Sequence, residues 1–363
     1  MQAEDENDCK FRSPIWCRFR TRQRISVLAS RHGYANFGAP HSADLLRTTL
    51  HSRRRYTRFW IILIAFSPEL IGCSRAHSQA AKVVKPPAIE FVQEWGVRGT
   101  EPGQFESPVG PAIDPVGRVY FADRATRFIQ KFEAGGIPLL SFEHAAAASA
   151  DAIAVDSGGA IYVANSRAGI IRLFFPEGDP LRALRIAPQR NSEGPFLFSI
   201  DADGRIYVPD PAGGRVQVFN SRGLLLKIWR IPTDAAEKAA HPFAAVAGDD
   251  GAIYVGDAAD GRILKFTRDG VQSAGFQPPD SGDGSRLLGL AVAARHVFAL
   301  RGFPLRLEVW SEDGHREITD TLGDRLSAVE SAAYIAADAA GDLIVLDPEA
   351  RRVLRFRAHL ELP

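Results

Sequence analysis

The chain has 363 residues, 45% hydrophobic and 24% charged, with 32 Gly, 23 Pro and 3 Cys. That balance is globular and excludes a collagen, a disordered polymer and a multi-span membrane protein. The net charge of +1 conceals two unequal parts: residues 1–88 carry 15 Lys+Arg against 6 Asp+Glu, leaving 29 against 37 in the remainder. An acidic body of net −8 is a poor partner for nucleic acid, whose phosphates must be neutralised.

Cys9, Cys17 and Cys73 all precede the body, so neither a disulfide scaffold nor a thiolate zinc site is available there. Residues 1–50 show no sustained apolar period and hold Met1, the chain's one methionine. This stretch reads as a disordered or mis-started extension and is set aside from fold reasoning. Residues 51–73 read as an export signal. The cluster Arg53-Arg54-Arg55-Tyr56-Thr57-Arg58 precedes the apolar run Phe59–Phe66, which is far shorter than the roughly 20 residues that span a bilayer. Leu70-Ile71-Gly72-Cys73 resembles a bacterial lipobox. The resemblance implies a diacylglycerol on Cys73, with cleavage making that residue the mature N-terminus. Residues 74–88, with Pro86-Pro87, read as a tether.

Residues 89–363 repeat. Short β runs recur as Val119-Tyr120-Phe121-Ala122-Asp123, Ile161-Tyr162-Val163-Ala164-Asn165, Ile206-Tyr207-Val208-Pro209-Asp210 and Ile253-Tyr254-Val255-Gly256-Asp257. Looser copies centre on Phe298 and Ile344. A second aromatic anchor follows twelve residues after each: Phe132, Phe174, Phe219, Phe266, Trp310 and Phe356. Period-2 alternation before those anchors predicts half-buried strands. Upstream segments such as Ala112-Ile113-Asp114-Pro115-Val116-Gly117 predict a further strand and a tight hairpin. With a fourth strand such as Leu224–Trp229, six such units predict an all-β six-bladed propeller. The last copy has only three strands, and Ile89–Trp95 is a spare strand before the first. It is expected to pair as the outer strand of blade six and close the ring.

The unit resembles the NHL repeat in its order of apolar-x-Asp-x-x-Gly, apolar-Tyr-Val-x-Asp and a later Arg-apolar-x-x-Phe. The approach Trp95-Gly96, Gly99, Pro102-Gly103-Gln104-Phe105 and Pro108 also resembles that family. The likeness implies a propeller and leaves function open. Some NHL-type propellers are lyases with three channel histidines, but only His144 and His241 fall in connections between blades here. No cofactor is therefore expected, and a divalent metal would need a mixed site with Asp or Glu.

The pairs Asp123/Arg127, Asp210/Arg215, Asp257/Arg262 and Asp347/Arg352 read as repeated loop braces within blades, and the Tyr and Phe anchors as interblade core. Non-repeating residues at the channel mouth are the candidate ligand contacts: Glu106, Arg124, Asp151, Asn165, Glu193, His241 and Arg301. The first functional reading is a monomeric, lipid-anchored binding module of the bacterial envelope, taking a protein, peptide or glycan. The alternative is a propeller enzyme of lyase or lactonase type, using an acid and His241. Three or more converging His, Asp or Glu side chains would favour the enzyme, and an apolar or mixed bowl the binding module.

Overall fold

The computed structural model describes residues 88–188, 196–233, 239–276, 286–302, 305–320 and 334–360. The extension, export signal, lipobox and nearly all of the tether expected over residues 1–87 lie outside them, as does Glu193.

Strand β1 (Ala88–Trp95) precedes the first complete blade: β2 (Pro108–Ile113), β3 (Val119–Asp123), β4 (Phe128–Phe132) and β5 (Pro138–Glu143). Blade two is β6 (Ala152–Val155), β7 (Ile161–Asn165), β8 (Ile170–Phe174) and β9 (Pro180–Arg185). Blade three is β10 (Ser199–Ile200), β11 (Ile206–Asp210), β12 (Arg215–Phe219) and β13 (Leu225–Arg230). Blade four is β14 (Pro242–Ala247), β15 (Ile253–Asp257), β16 (Ile263–Phe266) and β17 (Gln272–Phe276). Blade five is β18 (Leu287–Ala293), β19 (His296–Arg301), β20 (Arg306–Ser311) and β21 (Arg316–Asp320). Blade six opens with β22 (Tyr334–Ala337), β23 (Leu343–Asp347) and β24 (Arg352–His359). Its fourth strand is β1, which pairs antiparallel with β24 from Ala88↔His359 to Trp95↔Val353. All six sheets are four-stranded and antiparallel, and the clasp read from Ile89–Trp95 is present.

A separate apolar cluster fills each junction between adjacent blades, including blade six to blade one through Leu346, Val353, Phe105 and Phe121. That pattern is a ring. The second and third strands of each blade are almost wholly buried, while the outer strands β5, β9, β13 and β17 are largely exposed. The aromatic anchors are interblade core, as expected.

The hairpin between the first two strands is set by one aspartate. The Asp114 carboxylate accepts the N–H groups of Val116 and Arg118 at 3.1 and 2.9 Å, and the Tyr120 hydroxyl at 2.8 Å. Asp156 with Tyr162 and Asp201 with Tyr207 repeat this arrangement. The recurring residue is therefore Tyr, not Phe, because its buried hydroxyl has a built-in acceptor. Burial pushes these phenols upward, to beyond the ordinary tyrosine range. Blade five lacks the aspartate and turns on Ala294-Arg295, both at positive φ.

Blades lock together by a second device. The outer strand of one blade seats a bulky side chain on the glycine of the next blade's outer hairpin. The pairs are Trp95 on Gly136, Phe142 on Gly178, Leu184 on Gly223, Trp229 on Gly270 and Phe276 on Gly314. At Gly136 φ is +86°, and an added Cβ would stand 2.5 Å from the Trp95 ring; only glycine meets both demands. Trp95 also lies 4.9 Å from Phe132 and 5.8 Å from Phe121, ring to ring.

Trp95→Ala is therefore expected to cost about 3 kcal/mol, and Gly136→Ala more than about 1 kcal/mol through its left-handed backbone. Urea unfolding of both variants checks this. Wild-type stability in Trp95→Ala would show that the clasp does not close the ring.

Candidate functional site

In each complete blade the first and third hairpins lie at one end of the ring. The loop between the second and third strands and the connection to the next blade lie at the other. Between these ends lies a cavity of about 180 Å³ whose lining includes the apolar side chains of Ala112, Val155, Val246, Ala291 and Ile335.

At the connection end, a recess of about 620 Å³ opens over blades one to three. Arg124 follows β3; Ser149, Ala150 and Asp151 lead into β6; Asn165 ends β7 and Ser166 to Ala168 follow it; and Phe196 precedes β10. Three residues singled out in the sequence, Arg124, Asp151 and Asn165, thus line one site. The Arg124 Nε donates to the Ala150 carbonyl at 2.6 Å, which fixes the guanidinium plane. Asn165 donates from Nδ2 to the Ser149 hydroxyl at 2.8 Å and accepts the Ala168 N–H at 2.9 Å. Asp151 accepts the Ser166 N–H at 2.8 Å and the Ser166 hydroxyl. Burial pushes the Asp151 carboxyl above the usual carboxylate range, against the opposing pull of those donors and of Arg124. Tyr334, at the start of β22, senses the same groups. Burial raises its phenol, Arg124 opposes that, and Asp151 adds to it. The sequence reading missed Tyr334, Ser149, Ser166 and Arg167. Arg167 and Ser166 adjoin Asn165 in the chain, whereas nothing local marks Tyr334.

The other candidates do not join them. Glu106 is held by Arg98 through two hydrogen bonds of 2.9 and 3.1 Å, with Arg351 3.7 Å away, so it staples the entry of the chain into blade one. Arg98 beside it holds its carboxyl below the usual range. His241 lies outside the recess; its N–H donates to Asp257 at 2.8 Å. His144 packs edge-on against Phe174 at 4.8 Å and accepts the Ala146 N–H at 3.0 Å, and burial lowers its pKa. Among the described residues, no three His, Cys, Asp or Glu side chains come together in a way that could hold a metal ion.

Arg301 is a correction of another kind. It is 1% exposed and donates to Glu308 at 2.7 Å and to the Gly261 carbonyl at 2.9 Å, so it faces the core. It inverts a brace that the other blades build with the acid first: Asp210–Arg215 at 2.6 Å, Asp257–Arg262 at 3.3 Å and Asp347–Arg352 at 3.1 Å. The fourth expected brace is absent, because Arg127 pairs with Glu143 at 2.5 Å. Asp123 instead accepts four backbone N–H groups, from Glu106, Ser107, Ala125 and Thr126. Blade two has neither partner, with Asn165 and Ile170 at the two positions.

The opposite mouth, of about 570 Å³, gathers Asp114, Asp156, Asp201, Asp203, Asp249, Asp250 and Asp338. The carboxylates of Asp114, Asp156, Asp201, Asp250 and Asp338 are taken up by their own hairpins. Arg268 bridges Asp201 and Asp203.

No protein-family model matches the chain, and no curated protein matches it. Solved structures do. The chain is similar to a streptogramin B lyase structure at 15% identity and a TM-score of 0.54, over 75% of this chain and 98% of that one. It is also similar to virginiamycin B lyase from Staphylococcus aureus at 13% identity and a TM-score of 0.55, over 74% and 99% of the two chains. A catalytically inactive histidine variant of that lyase with quinupristin matches at 15% identity and a TM-score of 0.53, over 74% and 85%. At these identities the likeness is one of fold: a six-bladed propeller.

Removing the Arg301 side chain takes the 2.7 Å partner from the Glu308 carboxylate, 3% exposed, and leaves it only Arg316 at 3.9 Å. Arg301→Ala is expected to cost about 3–5 kcal/mol, read as a lowered urea midpoint, while Arg301→Met paired with Glu308→Leu regains most of it. Unchanged stability in the single variant would return Arg301 to the list of ligand contacts.

Proposed function

We propose that the protein is an NHL-like binding propeller of the bacterial envelope, anchored by a lipid on Cys73, that takes a protein, peptide or glycan ligand. The recess over blades one to three is its recognition site. One observation carries this reading: Arg124, Asp151 and Asn165, distant in sequence and outside the repeat pattern, line a single polar recess. Pockets of this size suit small ligands or the exposed end of a larger one. The net −8 of the body argues against nucleic acid.

An enzymatic reading has one observation in its favour, the fold shared with the streptogramin B and virginiamycin B lyases. Against it, no histidine lines the recess among the described residues. Its one acid, Asp151, is engaged by Ser166. The aspartates of the opposite mouth mostly serve their own turns. These side chains are occupied as structure, which favours the binding module.

The expected outcome on a glycan and peptide array is a bound ligand that Arg167→Ala abolishes at unchanged melting temperature. Quinupristin incubated with the full chain is expected to be recovered intact by liquid chromatography and mass spectrometry. Turnover there, or no recess-dependent ligand on the array, would overturn the binding reading.

The anchor has its own test. Acyl chains beyond one make membrane attachment firm, so the wild-type chain in a bacterial host should fractionate with membranes and Cys73→Ala with the soluble protein. A soluble wild type would remove the lipid anchor. A membrane-bound Cys73→Ala would replace it with an uncleaved signal anchor.

A further inference from the structure

We infer that the recess recognises a monocarboxylate, with Arg124 and Arg167 as its cationic wall and the Ser149 hydroxyl as an added donor. The inference rests on the binding reading above and names the chemistry of that ligand.

The charge balance of the lining leads there. Among the described residues, its ionisable side chains are Arg124, Arg167 and Asp151. Asp151 is turned to the protein: its two oxygens are engaged by Ser166, and burial disfavours its charged form. Neither arginine forms an ion pair among the described residues, whereas Arg215, Arg262, Arg301 and Arg352, which adjoin the corresponding loops of other blades, all do. Among the described residues, two guanidiniums against at most one carboxylate give the recess a positive sign within a body of net −8. That positive sign suits a carboxylate, with inorganic phosphate as the competing anion.

Geometry agrees with charge. Arg124 has its Nε fixed on the Ala150 carbonyl, so the guanidinium is held in place before a ligand arrives and loses little freedom on binding. Ser149 accepts from Asn165, so its own hydroxyl hydrogen is left to donate to an acceptor. Asn165 is thereby a positioning residue, and its amide cannot repel an anion as the aspartate of other blades would. Phe196 closes one side with an apolar edge, which suits a sugar ring or a short aliphatic group carrying the carboxylate.

A sugar acid and a peptide C-terminus share this chemistry, and matched probes separate them. Isothermal titration of the full chain would use galacturonate against galactose, and alanyl-alanine against its C-terminal amide, with inorganic phosphate as a further probe. The acid of at least one pair is expected to bind about tenfold or more tightly than its neutral partner, the worth of one charge-assisted hydrogen bond. Arg167→Gln is expected to bring the acid down to its neutral partner without shifting the melting temperature, and Arg167→Lys to regain part of the difference. Equal binding of acid and neutral probes, tighter binding of phosphate, or no binding by any probe would overturn the inference. If recess-dependent ligands on the array all proved neutral, the carboxylate would fall and the binding reading would stand. An array without recess-dependent ligands would remove both.

Discussion

The ring depends on a contact that tolerates no side chain on one of its partners. Trp229 rests where a Cβ on Gly270 would come within 2.3 Å of its ring, and the same seat recurs at Gly136, Gly178 and Gly223. Each outer strand thereby reaches across to the following blade, so a blade is positioned by its predecessor as well as by its own hydrogen bonds. The chain must supply the first knob from outside the six continuous units, because nothing precedes blade one in the ring except blade six. Strand β1 does this: it pairs with β24 on one side and delivers Trp95 to Gly136 on the other. Closure and interblade packing are one event, and the free edge of blade six is covered by the same residues.

The polar side of the structure is equally committed. Aspartates at the first hairpins are bound to their own turns and tyrosines, and those after the second strands brace the adjacent loops. Asp210–Arg215 and Asp347–Arg352 bury the carboxylate and leave the arginine partly in water. Asp257–Arg262 and Arg301–Glu308, however, are withdrawn from water and would be costly to break singly. The many charged residues near the channel are therefore mostly structural. What is informative is the place where the pattern of mutual satisfaction is interrupted.

The fold was legible because a propeller repeats. Period-2 strands, the Tyr and Phe anchors and the spare strand at Ile89–Trp95 specify six sheets and their closure without any long-range information. The site was legible only in part, and for a physical reason. Arg124, Asp151 and Asn165 depart from the repeat and can be noticed in the chain, but their convergence depends on how neighbouring blades are rotated about the channel. Tyr334 belongs to the last blade and meets Arg124 and Asp151 only because the ring closes, so no local spacing could reveal it. Arg301 shows the opposite error. Its departure from the repeat is offset by Glu308 seven residues later, and an inverted ion pair looks like an orphan when only one member is aligned. Glu106 misled for a similar reason, since its partners Arg98 and Arg351 lie at opposite ends of the repeat region.

Blade two has neither member of the brace, acid or arginine. Blades three, four and six carry an acid after the second strand and an arginine five residues later. Blade two carries Asn165 and Ile170, so that blade has neither the negative charge nor its partner. The loop still needs a cap, and Asp151 provides it from the preceding connection by accepting from Ser166. Moving the acid from the strand end to the connection has two effects. The carboxylate is turned onto Ser166, with burial favouring its neutral form, and the loop lacks the ion pair that braces blades three, four and six. Arg167 then stands exposed in the same recess as Arg124, and neither forms an ion pair among the described residues. A change of brace thus turns a self-satisfied loop into part of a positively signed recess, at a blade where the repeat no longer dictates what the side chains must do.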